Sequence, residues 1–265
     1  PWLTGAARRD LPAPSGRNLP RDFIARLAVD RLQPNVMVNL GAGLPMYEVP
    51  EMARTMGRSD IYFTVEQGPL GGWPQVGGVS RNPEIILDQN EVFQFYEGGG
   101  PDVSILSFGE VDRFGNINTT VIGGTYLKPK TRLPGAGGAP EIATSARETF
   151  ILLRQSPRAF VEKLDFITSL GHGSGGNSRA EAGAKPLGPP RLISDLCQMA
   201  PHPETKELTV TTIHPGVTRD QIIAATGWDI RFADSVTETP VPEPTELAVL
   251  REIHARTARA HAGQA

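Results

Sequence analysis

A single carboxylate, Glu66, follows an apolar run, Ile61-Tyr62-Phe63-Thr64-Val65, that predicts a short buried strand. The next six residues, Gln67-Gly68-Pro69-Leu70-Gly71-Gly72, contain three glycines and a proline. A ligand can closely approach a carboxylate at a strand end when the neighbouring backbone has few side chains. Glu66 could therefore act as a base, as a hydrogen-bond acceptor or as a nucleophile. The alternative is a glutamate that ends the strand and caps a turn.

Other patterns that could carry chemistry are incomplete. Gly41-Ala42-Gly43 resembles the start of a dinucleotide fingerprint, but Met46 stands where the third glycine is needed. His172-Gly173-Ser174-Gly175 has a histidine where a serine nucleophile elbow has its first glycine. The five histidines lack zinc-site spacings, so no metal site is predicted. The one cysteine, Cys197, excludes an internal disulfide and is predicted to be a buried thiol.

An oxyanion hole is a second chemical element that the sequence could supply. Asn118 ends an amide-bearing turn, and Gly137-Gly138 is a pair of glycines further along the chain. An amide side chain together with a glycine N–H is a typical pair of donors to an oxyanion. Carboxylate attack on a thioester places negative charge on the carbonyl oxygen and requires such donors. The hypothesis from these residues is acyl transfer through an acyl-enzyme at Glu66.

The composition is that of a globular protein. The chain has 265 residues, of which 39% are hydrophobic and 21% charged, and its formal net charge is −3. This balance gives no basic surface for nucleic acid or an anionic membrane. No apolar run approaches the roughly 18 residues of a membrane span, and no signal peptide is recognisable. The expected location is therefore the cytoplasm.

Alternating helices and strands would hold Glu66 in place. The first quarter predicts a helix beginning near Asn18, a strand at 36–40, a helix at 46–56 and the strand at 61–65. This order favours a parallel sheet. Residues 67–101 are predicted to be irregular and glycine-rich, and so long an irregular segment suggests function.

The rest of the chain continues the same pattern. Residues 1–17 are predicted to be an N-terminal arm, and residues 18–265 a single domain. Further elements are predicted as strands at 103–108, 110–120 (with a central turn), 150–153, 166–169, 191–196 and 208–213, and as helices at 141–147, 218–226 and 243–258.

Five segments together resemble the family I coenzyme A transferases, specifically the β subunit or β half, with glutaconate-, acetoacetate- and propionate-type members. They occur in the family's order and cover roughly residues 20–230. The segments are Val38-Asn39-Leu40-Gly41-Ala42-Gly43-Leu44-Pro45, Val65-Glu66-Gln67-Gly68-Pro69-Leu70-Gly71-Gly72, Phe95-Tyr96-Glu97-Gly98-Gly99-Gly100-Pro101-Asp102, Glu110-Val111-Asp112-Arg113-Phe114-Gly115-Asn116-Ile117-Asn118 and Gly135-Ala136-Gly137-Gly138-Ala139.

The resemblance implies an α/β fold with a mainly parallel sheet flanked by helices, the CoA-transferase (NagB/RpiA-like) fold. It implies that Glu66 attacks an acyl-CoA and becomes a γ-glutamyl-CoA thioester. Gln67 departs from the commonest motif, which has asparagine there, and is expected to tune specificity. The positions carried over as oxyanion or substrate contacts are Asn118, Gly137, Gly138, Gly43, Gln67 and Gly68.

The resemblance also concerns ligands and partners. Coenzyme A is implied as a substrate, with no tightly bound cofactor and no metal. The family's α portion is absent from this sequence, so an α subunit or α half is expected to complete the site in an α2β2 or higher oligomer. One alternative is a CoA-transferase-fold hydrolase of an acyl-CoA, by thioester or C–C ring cleavage. Another is a non-catalytic scaffolding subunit, against which an intact Glu66 argues.

Overall fold

The computed structural model describes residues 21–75, 78–184 and 190–241, together with Glu243, Pro244, Glu246, Ala248, Glu252 and Ala255. The predicted arm, residues 1–17, and the predicted cap at Asn18 lie outside the described residues, as does most of the predicted helix at 243–258. The division into an arm and a single domain stays a prediction.

Helices and strands alternate over residues 21–64, and short strands then predominate up to residue 132. The helices are α1 (Arg21–Arg31), α2 (Leu44–Thr55), α3 (Gln89–Glu97), α4 (Ala139–Ser145), α5 (Ser178–Glu181) and α6 (Arg219–Ala224). The strands are β1 (Met37–Leu40), β2 (Tyr62–Thr64), β3 (Pro69–Leu70), β4 (Trp73–Gln75), β5 (Val79–Arg81), β6 (Ile85–Ile86), β7 (Val103–Leu106), β8 (Glu110–Val111), β9 (Ile117–Asn118), β10 (Val121–Gly124), β11 (Pro129–Arg132), β12 (Glu148–Leu152), β13 (Arg191–Ile193), β14 (Cys197–Pro201), β15 (Leu208–Ile213) and β16 (Arg231–Glu238).

One sheet organises the fold, and its strand order is β16-β15-β14-β13-β12-β7-β1-β2-β3-β6. The central run β13-β12-β7-β1-β2 is parallel throughout. Strands β14 and β3 pair antiparallel with their neighbours on both sides. The predicted α/β class with a mainly parallel sheet is confirmed. The carboxyl ends of β1, β2 and β7 therefore lie side by side, which is where sheets of this kind bind ligands.

Hydrophobic side chains cover both faces of the sheet. Val103 and Ile105 pack with helices α1 and α2 in one buried cluster, whereas Leu106 packs with Val92 and Tyr96 of α3 in another. Successive side chains of a strand point to opposite faces, so the two clusters lie on opposite sides of the sheet. The central strands of the sheet are thus buried on both faces, as parallel strands usually are. Among the described residues, no helix is long and apolar enough to cross a membrane.

Two predictions of local structure are wrong. Residues 67–101 are not irregular, because they contain four short strands and helix α3. Helix α3 begins with a capping box in which Asp88 and Glu91 satisfy backbone N–H groups reciprocally. The predicted strand at 166–169 is reduced to one isolated bridge, between Ile117 and Ser169.

Candidate active site

A cavity of about 500 Å³ lies at the carboxyl ends of β1, β2 and β7. Each strand contributes residues at or just after its carboxyl end, namely 41–43 for β1, Glu66 for β2 and 106–109 for β7. Glu66 is the one ionisable group among the described residues that line it. The lining residues are Gly41, Ala42, Gly43, Glu66, Leu106, Ser107, Phe108, Gly109, Thr119, Leu133, Pro134, Gly135, Ala136, Gly137, Ala139 and Ile142. The cavity wall is therefore backbone and small or apolar side chains around a single carboxylate.

The Glu66 carboxylate is half-buried and is held by backbone. Its Oε2 atom accepts a hydrogen bond of 2.9 Å from the N–H of Gly138, the residue immediately before α4. Gly137 lies beside the carboxylate and slightly nearer to the other oxygen, because a Cβ atom at position 137 would be 3.4 Å from Oε1 and 3.7 Å from Oε2. The two oxygens thus have different surroundings. Oε2 is fixed by a donor, and Oε1 is next to a residue that lines the cavity.

Gly138 packs so closely against Glu66 and Phe93 that no side chain fits at this position. A Cβ atom at this position would lie 2.6 Å from Glu66 Oε2 and 2.4 Å from Cζ of Phe93. Both distances are far below van der Waals contact. Glycine is therefore required here for close approach, although the backbone at Gly138, with φ −88°, is accessible to any residue.

A buried polar row supports the strand that carries Glu66. Thr64, Asn39, Ser104 and Thr149 are register neighbours across β2, β1, β7 and β12. The hydroxyl of Tyr96 accepts a hydrogen bond from Asn39 Nδ2 and pairs with Thr64 Oγ1, each at 2.9 Å. Burial raises the pKa of Tyr96 to about 12, so the phenol stays protonated at neutral pH. Tyr96 thereby ties α3 to the strand end two residues before Glu66.

Asn118 does not line the cavity, and its amide is occupied within the fold. Its Nδ2 atom donates to Glu110 Oε2 at 2.8 Å and to the carbonyl of Val121 at 2.7 Å. Its Oδ1 atom accepts from the backbone N–H groups of Thr120 and Val121. Both amide hydrogens are therefore used, and neither is available for a substrate oxygen in this arrangement. The contacts of Asn118 hold the loop after β9.

Replacing Asn118 by alanine should destabilise the protein by about 2–4 kcal/mol, because the buried Glu110 carboxylate and the Val121 carbonyl lose their donor. Burial already raises the pKa of Glu110, and the Asn118 hydrogen bond opposes that shift. Without it, ionised Glu110 is penalised further in the folded state. Because a raised pKa favours the protonated native form, the loss of stability should be larger at about pH 7 than at about pH 4.

Urea unfolding of Asn118→Ala and the unchanged protein at both pH values measures this difference. Asn90→Ala is the control, since Asn90 is exposed on α3 and its loss should change stability by less than about 0.5 kcal/mol. Unchanged stability of Asn118→Ala together with lost activity would contradict the structural role and favour the predicted oxyanion contact.

Of the three other predicted positions, one lines the cavity and two make contacts within the loops that follow β2. Gly43 lines the cavity. Gln67 is exposed and lies over the backbone of Gly78, where a Cβ atom would be 2.4 Å from Gln67 Cδ. Gly68 has φ +116°, and a Cβ atom there would be 2.1 Å from the carbonyl oxygen of Leu87, so it permits a tight backbone crossing. The structure brings together Glu66, Gly43, Gly137 and Gly138, and it places Asn118, Gln67 and Gly68 outside the cavity lining.

Phe93 and Tyr96 reach the site from helix α3 and were not among the predicted site residues. A signal for this helix is present in the sequence, since Asp88 and Glu91 have the spacing of a capping box before Val92. The glycines on both sides of the segment obscured that signal.

Comparison with known proteins identifies the family. A family model described as coenzyme A transferase matches residues 23–225. This chain belongs to the coenzyme A transferase family. Within the family, the chain is 48% identical to the B subunit of 3-oxoadipate CoA-transferase of Pseudomonas knackmussii. The alignment spans 245 residues and covers 89% of this chain and 94% of that relative. The chain is 27% identical over 229 residues to the B subunit of glutaconate CoA-transferase of Acidaminococcus fermentans, covering 82% and 85% of the two chains.

A solved coenzyme A transferase has the same fold. The crystal structure of glutaconate coenzyme A-transferase from Acidaminococcus fermentans superposes with a TM-score of 0.77 at 24% sequence identity. The match covers 89% of this chain and 94% of that chain. The predicted coenzyme A transferase fold is confirmed.

Proposed function

We propose that this chain is the β-type subunit of an enzyme that transfers coenzyme A from an acyl-CoA to a carboxylic acid through a thioester on Glu66. The observation that carries the proposal is the asymmetric setting of the Glu66 carboxylate. Oε2 is held by the Gly138 N–H at 2.9 Å, and Oε1 lies beside Gly137 at the cavity. A carboxylate fixed at one oxygen keeps the other directed for attack.

The first step forms a mixed anhydride. Oε1 of Glu66 attacks the carbonyl carbon of the acyl thioester, the C–S bond breaks, and the coenzyme A thiolate leaves. Attack places negative charge on the carbonyl oxygen of the substrate. The cavity is lined mostly by apolar groups, so stabilisation of this charge depends on fixed hydrogen-bond donors. Gly137 lies beside the carboxylate and lines the cavity, and we infer that its backbone N–H is the donor to the substrate oxyanion.

The second step forms the covalent thioester. The thiolate attacks Cδ of Glu66, and the first acid leaves with the Oε1 atom. Negative charge develops on Oε2 at this moment, and Gly138 already donates a hydrogen bond to that atom. The N–H that orients the resting carboxylate therefore also stabilises this second oxyanion, without rearrangement. A second carboxylic acid reverses both steps and leaves as the new acyl-CoA.

A partner chain belongs to the proposal. The two relatives in the comparison are each named as one subunit of a CoA-transferase. We infer that this chain likewise acts with an α subunit, in an α2β2 or higher oligomer. Coenzyme A is a substrate of this complex. The acid for which the more similar relative is named, 3-oxoadipate, is the first acceptor to test.

Borohydride trapping tests the thioester directly. The complex of this chain with its α subunit is incubated with acyl-CoA and then treated with borohydride, which reduces a thioester to an alcohol. We expect loss of activity and a matching mass decrease in the peptide that contains Glu66, both dependent on acyl-CoA. Persistent activity with an unmodified Glu66 peptide would refute the covalent mechanism. Release of free coenzyme A without an acceptor acid, as fast as transfer, would instead support the hydrolase.

A further inference from the structure

Phe93 of α3 packs against Gly138, the residue whose N–H holds the Glu66 carboxylate. Its ring edge lies against Gly138, since Cζ and Cε1 would be 2.4 and 2.5 Å from a Cβ atom at that position. The same Cβ position is 2.6 Å from Glu66 Oε2. The Phe93 ring edge and the Glu66 carboxylate oxygen therefore both lie close to the Cα atom of Gly138.

The carboxylate consequently has two different sides. Gly137, Ala139 and Ile142 belong to the described residues that line the cavity, but Gly138 and Phe93 do not. Gly138 itself is buried, and Phe93 is half-buried above it. Glu66 and Gly137 thus line the cavity, whereas the Gly138 side of the carboxylate is next to the apolar ring of Phe93.

Neighbouring groups hold the Phe93 ring in place. It packs edge-on against Tyr96, with ring centroids 5.8 Å apart and planes at 81°. Tyr96 is fully buried and fixed by its hydrogen bonds to Asn39 and Thr64. Such T-shaped packing on an immobile partner restricts ring rotation. The cover over Gly138 is thus a rigid part of α3.

Water exclusion at this point decides the fate of a thioester on Glu66. Water and an acceptor carboxylate both attack Cδ. Attack by water, with loss of its proton to solvent, breaks the C–S bond and returns a free carboxylate and coenzyme A thiol, which wastes the thioester. We propose that Phe93 is a specificity-determining residue that excludes water from the Gly138 side of Glu66 and so favours transfer over hydrolysis. This inference rests on the proposed function.

The lifetime of the thioester tests the role of Phe93. The complex of this chain with its α subunit is loaded with acyl-CoA, separated from free ligand, and followed for coenzyme A release with a thiol reagent in the absence of acceptor. In Phe93→Ala, release should be faster by on the order of tenfold, because water gains access to Cδ. Phe93→Leu, which keeps an apolar side chain over Gly138, should restore most of the lifetime.

Phe95→Ala is the matched control on the same helix. Phe95 also packs on Tyr96, with ring centroids 6.0 Å apart, but its ring lies against Gly100 and not against Gly138. A general loosening of α3 would shorten the thioester lifetime in both alanine variants, and that result would overturn the proposal. Equal lifetimes in Phe93→Ala and the unchanged protein would also overturn it. If the unchanged complex forms no thioester, the proposed function fails as well, so the two failures are distinguishable.

Discussion

Replacing Glu66 by glutamine should lower coenzyme A transfer by roughly 10⁴-fold or more, because an amide oxygen is a very weak nucleophile compared with a carboxylate. The substitution preserves shape, and the amide oxygen of glutamine can still accept the 2.9 Å hydrogen bond that Gly138 gives to Oε2. Folding and binding of acyl-CoA should therefore be retained. Steady-state transfer assays on the complex, with acyl-CoA binding measured separately, check both parts.

Glu141→Gln provides the matched control for charge. Glu141 lies in the first turn of α4, close to Gly138, and it does not line the cavity. Its loss removes one negative charge near the site but no atom of the proposed chemistry, so transfer should stay within about twofold. Transfer by Glu66→Gln at more than a trace, after mass analysis excludes deamidation to glutamate, would show that the nucleophile is another group.

Replacing Gly138 by alanine should lower kcat by roughly 10²–10³-fold, the usual loss when one oxyanion donor is displaced. The added Cβ atom would lie 2.6 Å from Glu66 Oε2 and 2.4 Å from the Phe93 ring. Because Phe93 packs on the rigid Tyr96, the collision should be relieved by moving the Gly138 backbone away from Glu66. Transfer kinetics and borohydride trapping at matched acyl-CoA concentration measure the effect, and thioester formation should slow in parallel with kcat.

Gly137→Ala is the informative comparison for this prediction. Its Cβ atom would lie 3.4 Å from Glu66 Oε1, an ordinary contact, but its φ of +51° costs an alanine about 1 kcal/mol of strain. We expect a loss of activity clearly smaller than that of Gly138→Ala. A reversed order of the two variants would contradict the assignment of Gly138 as the donor to Oε2.

The placement of Glu66 at a strand end is predictable from the sequence because the signals for it are local. A carboxylate directly after an apolar run and before glycines predicts an accessible acidic group at a strand end, wherever that strand lies in the sheet. The alternation of helices and strands then predicts a parallel sheet, and the carboxyl ends of its strands are the expected place for a site. The glycine pair is predicted as a donor to the substrate oxyanion, and that role stays a prediction. The structure places the N–H of Gly138 on the Glu66 carboxylate itself.

Asn118 illustrates the part that local reasoning does not reach. An asparagine in a turn can donate to a ligand or can saturate the backbone of its own loop, and the residue type is the same in both cases. Which of these two roles Asn118 has depends on the positions of its acceptors, Glu110 across the hairpin and the carbonyl of Val121. These contacts are properties of the folded loop, so the sequence alone left the oxyanion role open.

Some elements were missed because they lack the hydrophobic pattern of a buried strand or helix. Strand β16 carries charged residues and is mostly exposed at the edge of the sheet, so neither alternation nor an apolar run marks it. Strand β14 contains a buried Gln198 and ends at Pro201, both unusual in a central strand. Helix α3, by contrast, has both a capping box and apolar residues at helical spacing (Val92, Phe95 and Tyr96), and the glycine-rich segments on either side obscured these signals.

The hydrogen bond from Gly138 has a consequence for the isotopic history of Glu66. With Oε2 held at 2.9 Å, the two oxygens do not exchange places between reaction cycles as long as this bond resists rotation of the carboxylate. In the proposed mechanism, each cycle would release Oε1 in the departing acid and replace it with an atom from the next acid, whereas Oε2 would stay on Glu66. Turnover in heavy-oxygen-labelled acid should therefore label Glu66 at one oxygen only. A label at the second oxygen would appear only as fast as the carboxylate group rotates and exchanges Oε1 with Oε2.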